Sequence, residues 1–496
     1  RSFSCGSPPA WCFIGSAIMC CRWDSNTSSI GELKTAVFNL HMDQQSELIE
    51  TAALDRDTIA AIATPPGKGG VAIVRLSGHH AWPITQTLCM RSVEPRTPTL
   101  SNFVHQSVVI DQGLVLLFPG PNSFTGEDVA ELHCHGGVVI SSMLLNACLA
   151  LGARMARPGE FSERAFMNNK LDLAQAEGLA DLIDAPTQQA AQQASASLRG
   201  AFSDAVNALG DDLLKLRIYI EAAIDFPEEE IDFLSDKNIR QNLSTALTGL
   251  DTLINNARQG ALMSKTAKIV LTGKPNVGKS SLMNQLAREP VAIVTAVPGT
   301  TRDVVKQTLN LKGVAFEFAD TAGIREATDI IEKEGIQRAR SELETANLVI
   351  EVIDDAADKN TEEHFEGAAP AIRVLNKIDL SERRPGEQPS EAITTIGVSA
   401  ITGAGIAELE SAILSILGFS NTVTSTPFSA RERHVAILQA TYDLLYTGIE
   451  QFHKTGAGEI LAEDLRHAHE TLGEITGVLG ADDLLGEIFS SFCIGK

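Results

Sequence analysis

The sequence predicts a multidomain protein of mixed α/β and α class. It has an N-terminal α+β domain, then a helical domain with a doubly wound α/β domain inserted into it. Three observations carry this. At 496 residues the chain is too long for one hydrophobic core and suggests two to four domains. From Ala267 onward, apolar runs that read as strands alternate with helical stretches, the signature of a doubly wound parallel sheet. Tracts with apolar residues at three- and four-residue steps flank that region on both sides, so a helical domain split by an insertion is the simplest topology.

Residues 1–53 stand apart from the rest. RSFSCGSPPAWCFIGSAIMCCRWDSNTSS begins with Arg1 and has neither helical nor strand periodicity. FIGSAIMCC has the length of a signal h-region, but its n-region is weak and no small-residue cleavage site follows. The expectation is a disordered or misassigned upstream extension with Met42 as the start; an organelle-targeting segment is the alternative. Residues 54–170 form the α+β unit. DTIAAIATPPGKGGVAIVRLSG reads as strand, Gly/Pro turn, strand; LVLLFPGPNSFTGEDVAELHCHGG repeats the pattern, and SSMLLNACLALGA reads as a helix. Residues 171–264 are the first helical part, with Leu213, Leu216, Ile220 and Ala223 on one face. FPEEEIDFLSD breaks it as a solvated segment. Residues 265–420 hold AKIVLTG, VAFEFADTAG, NLVIEVIDD and APAIRVLNKID as strands, and residues 421–496 are the second helical part.

Composition narrows the function classes. A hydrophobic share of 44% with 21% charge is ordinary for a globular protein, and no apolar run is long enough to span a bilayer. No membrane association is expected. The net charge of −23 argues against broad nucleic-acid binding, so a nucleic-acid partner needs a local basic patch or a helper protein. Of eight cysteines, four crowd the first 21 residues; Cys89, Cys134, Cys148 and Cys493 are too scattered for a disulfide framework. A reducing, cytoplasmic location is the expectation.

The strongest chemistry lies in GKPNVGKS, Gly273 to Ser280, which fits G-x-x-x-x-G-K-[ST] between an apolar strand and the helix SSLMNQLA. Its glycines let backbone N–H groups wrap phosphates, and the helix dipole adds positive potential. Lys279 is expected at the β- and γ-phosphates and Ser280 at Mg²⁺. DTAG (Asp320, Thr321, Ala322, Gly323) closes a later strand, where its acid can hold the metal shell. NKID (Asn376, Lys377, Ile378, Asp379) closes another. A carboxylate there accepts N1–H and N2–H₂ of guanine, a donor pair that adenine lacks, which selects GTP. SAIT, beginning Ser399, Ala400, Ile401, supports the base. In this order the motifs define a Ras-like P-loop GTPase domain, with Asn276, Val277, Gly278 and Ser281 also at the nucleotide. Where many such domains place a water-orienting glutamine, this chain has Ile324. Asn276 and the polar loop TAVPGTTRD (Thr295, Ala296, Val297, Pro298, Gly299, Thr300, Thr301 and onward) could cage a monovalent cation that does an arginine's work.

These strings, with TPPGKGGVAIVRLSG, FPGPNSFTGEDVAELHCHGG, ARPGEFSERAFMNNKLDLAQAE, EAAIDFPEEEIDF and the terminal FCIGK, resemble the signatures of the MnmE (TrmE) tRNA-modification GTPases in family order, from about Asp57 to Lys496. The resemblance implies a homodimer whose N-terminal domain binds 5-formyltetrahydrofolate or a related one-carbon folate. It implies the FAD-dependent partner MnmG in a heterotetramer, with FAD on that partner only. Together they would add an aminomethyl or carboxymethylaminomethyl group at C5 of the wobble uridine of certain tRNAs, with GTP hydrolysis dependent on potassium. It places K⁺ ligands on Asn276, Thr295, Val297 (through its carbonyl) and Thr300, and Mg²⁺ ligands on Ser280 and Thr301. Glu332 helps position the attacking water, and folate contacts fall on Arg75, Glu131, Lys170 and Lys496. Cys134 departs from the family pattern.

Other features are weaker. GKGG at Gly67 lacks a phosphate-loop spacing and reads as a turn, and His133 with His135 makes an incomplete metal site. Cys493 sits four from the last residue, but Gly495 and Lys496 suit a prenylation box poorly. It is read either as a buried structural thiol or, as the resemblance favours, as a catalytic cysteine beside Lys496. A GTP-driven RNA or ribosome-assembly switch without a part in modification chemistry is the alternative function.

Overall fold

The computed structural model describes residues 57–225, 237–264, 266–287, 306–320, 343, 345–357, 370–389, 393–419, 427–477, 486 and 488–495. The expectations on residues 1–53, FPEEEIDFLSD, Thr295 to Thr301, Thr321 to Gly323, Ile324, Glu332 and Lys496 lie outside the described residues.

The N-terminal region is a six-stranded sheet in the order β3-β4-β5-β2-β1-β6, built from β1 (Ile59–Ile62), β2 (Ala72–Ser77), β3 (Thr99–His105), β4 (Val108–Phe118), β5 (Val129–Cys134) and β6 (Arg154–Met155). All pairings are antiparallel except β1 with β6. Strand alternation sorts the two faces: Ala72, Val74 and Leu76 of β2 are buried, whereas Ile73 and Arg75 point to the other side. The buried face packs against α1 (Ala81–Cys89) and α2 (Val138–Ala150). Patterning did not reveal α1 or β3. Pro83 in α1 reads as a break although a proline fits a first helical turn, and β3 carries polar Ser101 and Asn102.

After β6 come α3 (Glu160–Met167), α4 (Leu173–Asp184), α5 (Gln188–Leu198), α6 (Ala201–Asp225) and α7 (Lys237–Ser264). A reciprocal capping box starts α4: Asp172 accepts from the Gln175 amide at 2.8 Å, and the Gln175 side chain accepts from the Asp172 amide at 2.9 Å. Helix α7 runs directly into the α/β region, where Met263 already belongs to the next core.

That region is a seven-stranded sheet, order β12-β13-β11-β10-β7-β9-β8. Its strands are β7 (Ala267–Thr272), β8 (Lys306–Leu311), β9 (Val314–Asp320), β10 (Leu348–Asp354), β11 (Ala371–Asn376), β12 (Gly386–Gln388) and β13 (Thr394–Gly397). The interior pairings are parallel and only the two edge strands run antiparallel. Helices α8 (Lys279–Leu286), α9 (Ile378–Ser381) and α10 (Ile406–Ile416) accompany it. The near-continuous apolar runs of β7 and β10 are what a sheet covered on both faces requires.

The chain then returns to the helical region as α11 (Glu432–Thr455) and α12 (Gly458–Gly473). With α6 and α7 they enclose one core, in which Leu213, Leu216 and Ile220 meet Leu250, Leu438, Leu445, Leu461 and Leu465. Each such side chain contributes roughly 1.5–3 kcal/mol by leaving water. Finally, Ile488, Phe489 and Phe492 pack on Leu173, Ala176 and Ala180 of α4, and Ile494 bridges to Pro158. No helix among the described residues is long and apolar enough to cross a membrane.

Candidate functional site

The loop after β7 leaves the sheet at Gly273, with φ of +138°, where a Cβ would collide with the Val352 carbonyl of β10. Gly278 caps α8 in the left-handed region, so the first-turn N–H groups of α8 face the loop. Lys279 is buried, and its Nζ donates to the carbonyls of Gly273 and Lys274 at 2.8 and 3.0 Å. Ser280 and Ser281 are exposed on the first turn, Asn276 is exposed at φ +64°, and Val277 is buried.

The NKID segment is stapled to this loop. Asn376, 2% exposed, donates from Nδ2 to the Val277 carbonyl at 2.8 Å and accepts from the Ala400 amide at 3.0 Å. Lys377 donates from Nζ to the Asn276 carbonyl at 2.9 Å and to Asp354 at 2.6 Å. The hydrogen bond from Lys377 holds the Asp354 carboxyl below its ordinary range. Ser399, fully buried, donates to Asp379 Oδ1 at 2.6 Å, while Ile401 is exposed. Ile378, the residue between Lys377 and Asp379, is buried. Asp320 ends β9 level with Leu271 of β7, at the same edge of the sheet. Three motifs spread along more than 100 residues of sequence, from Gly273 to Asp379, thus converge where the parallel strands end, the usual ligand edge of an open α/β sheet.

A second site, a cavity of about 1360 Å³, lies where the C-terminal segment crosses the N-terminal sheet. Lys68, Arg75, Phe124, Asp184 and Cys493 are on its wall. The Arg75 guanidinium pairs with Glu131 at 2.9 Å, donates to the Gly495 carbonyl at 3.4 Å, and lies 5.7 Å from the ring centres of Phe124 and Phe161. Gly495 has φ +94°, and a Cβ there would meet the Ile62 carbonyl at 2.6 Å, so a side chain would push the segment off β1. The Gly159 amide donates to the Cys493 carbonyl at 3.3 Å. Cys493 is exposed to the cavity, which corrects the reading of a buried structural thiol: the flanking Phe492 takes the core position instead. Of the four expected folate contacts, Arg75 and Glu131 are brought together, Lys170 is exposed and off the cavity wall, and Lys496 is outside the described residues.

His133 contacts Glu131 at 3.3 Å and His135 contacts Asp111 at 2.8 Å; no three-residue metal-ligating group occurs among the described residues. Burial pushes the Cys134 thiol up, as expected of a core cysteine.

Two sets of residues near these sites gave little sequence signal. One is the buried network between α4 and α11. Glu177 accepts from Arg433 at 2.8 and 2.7 Å and pairs with His434 at 2.7 Å, and Arg431 donates to Asp181 at 2.7 Å. Burial pushes the Glu177 carboxyl up, but hydrogen bonds from His434 and Arg433 outweigh it and hold the group down to about 2. Burial of His434 lowers its pKa. The available signal was an acid set among Ala174, Ala176 and Ala180, inside an apolar helix face. The other set is Asp354 and Asp355, which read only as the end of a strand.

A parallel sheet with this phosphate-type loop, tied to an NKxD-type base loop, defines a P-loop GTPase fold, here set within a helical domain and joined to an N-terminal sheet domain. Residues 58–170 match the model for the GTP-binding protein TrmE N-terminus, and residues 173–493 match that for the MnmE helical domain. The tRNA modification GTPase MnmE of Nitrosomonas eutropha is 47% identical over 449 residues, covering 89% of this chain and 100% of that protein. Its namesake from Saccharophagus degradans is 48% identical, covering 89% and 99%. Among solved structures, the G domain of the T. maritima FeoB iron transporter is 26% identical, covering 31% of this chain and 99% of that one, at a TM-score of 0.23. The chain belongs to the MnmE family of tRNA modification GTPases.

Proposed function

We propose that the chain is a GTP hydrolase acting in tRNA modification. The observation that supports it best is the staple of Asn376 and Lys377 onto the phosphate-type loop, with Asp379 steadied by Ser399. In this reading the backbone N–H groups of Gly278 to Ser281 and the Lys279 ammonium hold the phosphates. Ser280 and Thr301 hold Mg²⁺, which offsets charge on the phosphoryl group. Asp320 supports that metal shell, and Asp379 reads guanine. Asn276, Thr295, Val297 and Thr300 take K⁺, and Glu332 fills the water-positioning role that Ile324 leaves vacant.

The cavity is the proposed site for a one-carbon folate. Its wall combines aromatic Phe124, cationic Lys68 and acidic Asp184, which suits a flat heterocycle with polar edges and a carboxylate tail. Arg75 is already neutralised by Glu131, so Lys68 is the better anion partner there. Cys493 is the nucleophile or acid/base group of the modification chemistry. The protein works as a homodimer with the FAD-dependent partner MnmG on wobble uridine of tRNA, in the cytoplasm.

Two assays test this. GTP turnover should rise when sodium is replaced by potassium, and equal rates would remove the cation cage. Transfer RNA from a deletion strain should lack the C5 modification at the wobble position; normal modification would shift the reading to an RNA or ribosome-assembly switch.

A further inference from the structure

We propose that Asp355 is a positioning residue for guanine selectivity: together with Ser381 and Arg383 it clamps the short helix that carries Asp379. This rests on the guanine-nucleotide reading above. Helix α9 has only four residues and is flanked by Lys377 and Glu382, both in the left-handed region at φ +68° and +58°. One helical turn cannot hold itself by its own hydrogen bonds, so its position must come from outside. At its carboxylate, Asp379 is held by the buried Ser399 hydroxyl at 2.6 Å. At its exit, Ser381 Oγ donates to Asp355 Oδ2, and Arg383 Nε donates to both Asp355 oxygens at 3.0 and 2.8 Å.

Asp355 is the fixed point of this clamp. It is only 6% exposed, and its amide donates to the Asn376 carbonyl at 2.9 Å. The preceding Asp354 takes the Lys377 ammonium at 2.6 Å. Two adjacent acids at the end of β10 therefore hold both ends of the segment, Asp354 at Lys377 and Asp355 beyond Ser381. The chemistry makes this matter for the base rather than the phosphates. Guanine offers N1–H and N2–H₂ to a carboxylate, and both bonds need its two oxygens in place; hypoxanthine offers N1–H alone. Loosening α9 should weaken two bonds to guanine and one to hypoxanthine, while the phosphate loop is held separately through Asn376 and Val277.

The test uses the full chain with Mg²⁺ and calorimetric titration of GDP, IDP and ADP into wild type, Asp355→Asn, Arg383→Ala and Arg383→Lys. The expected result is about a 10-fold loss of GDP affinity in Asp355→Asn and Arg383→Ala, the size of one weakened charged hydrogen bond. IDP affinity should fall by less than about 3-fold, and Arg383→Lys should recover part of the GDP loss. Arg383 is the more exposed partner, so Arg383→Ala still tests the clamp if the buried substitution unfolds the domain, which melting curves report. Equal losses for GDP and IDP, or an unchanged GDP/IDP ratio in Arg383→Ala, overturn the proposal while leaving a guanine-selective wild type intact. A wild type that does not prefer GDP to ADP overturns the guanine reading and the clamp together.

Discussion

The two candidate sites are built in opposite ways. The phosphate-type loop and its base-reading partner hang on β7 and β11 of one sheet, either side of β10, and each functional group sits in a short contiguous string. The cavity is assembled from segments far apart in the chain, its wall closed by a bond between residues 420 positions apart, Arg75 and Gly495. A site of the first kind depends on one domain's core. A site of the second depends on everything that keeps α4, the N-terminal sheet and the last described segment in register. Substitutions should therefore separate the two functions cleanly, and the direction of separation is the check on this picture.

The largest effect is expected at the buried network behind the cavity wall. Glu177→Gln leaves Arg433 and His434 without their carboxylate, at a cost of about 3 kcal/mol. It loosens α4, which carries Asp184 on the wall, so 5-formyltetrahydrofolate binding should weaken while GDP binding holds. The pH dependence has a definite sign. The folded-state pKa of Glu177 lies at about 2, against an ordinary 4.5. Its stabilisation is thus fully present above pH 4.5 and is lost as pH falls toward 2. The Tm gap between wild type and variant should shrink across that window; a constant gap would rule out the ion pair as its source.

Next in size is Lys279→Ala, expected to lower GDP affinity by about 100-fold through loss of charged phosphate contacts. Folate binding should be unchanged, and a parallel loss of both would show that the sites are not separable. Phe492→Ala should act in mirror image, releasing the segment from α4 and weakening folate by about 10-fold, in keeping with a large-to-small change at a core side chain that can partly relax. GDP titration is the control. The smallest physical effect belongs to Cys493→Ser, whose exposed side chain should change unfolding free energy by no more than about 0.5 kcal/mol. GTP turnover should persist and tRNA modification should be lost; retention of modification would remove Cys493 from the chemistry.

The same contrast explains what the sequence made legible. G-x-x-x-x-G-K-S, NKID and SAIT are local strings whose spacing encodes loop geometry, so their residues converge as the motifs require. The helical face at Leu213, Leu216 and Ile220 was legible because a 3.6-residue period survives in any bundle. The pairing of Arg75 with Glu131 was not, since β-register between β2 and β5 decides it and no local pattern records that register. The sequence left Cys493 open between a buried thiol and a catalytic cysteine for a related reason: an amphipathic helix end does not say which of two neighbours, Phe492 or Cys493, takes the buried position. Asp355 escaped notice because its partners Ser381 and Arg383 lie beyond the next motif, where charge patterning looks like ordinary surface.

The Gly495 crossing also sets an order of events during synthesis. A ribosome adding 5–20 residues per second needs roughly 20 to 80 s to travel the 420 positions from Arg75 to Gly495. Before that interval ends every residue of the nucleotide domain's core, from Met263 to Phe419, is already synthesised, while the cavity still lacks one wall. Residues 488–495 are the clasp that completes it.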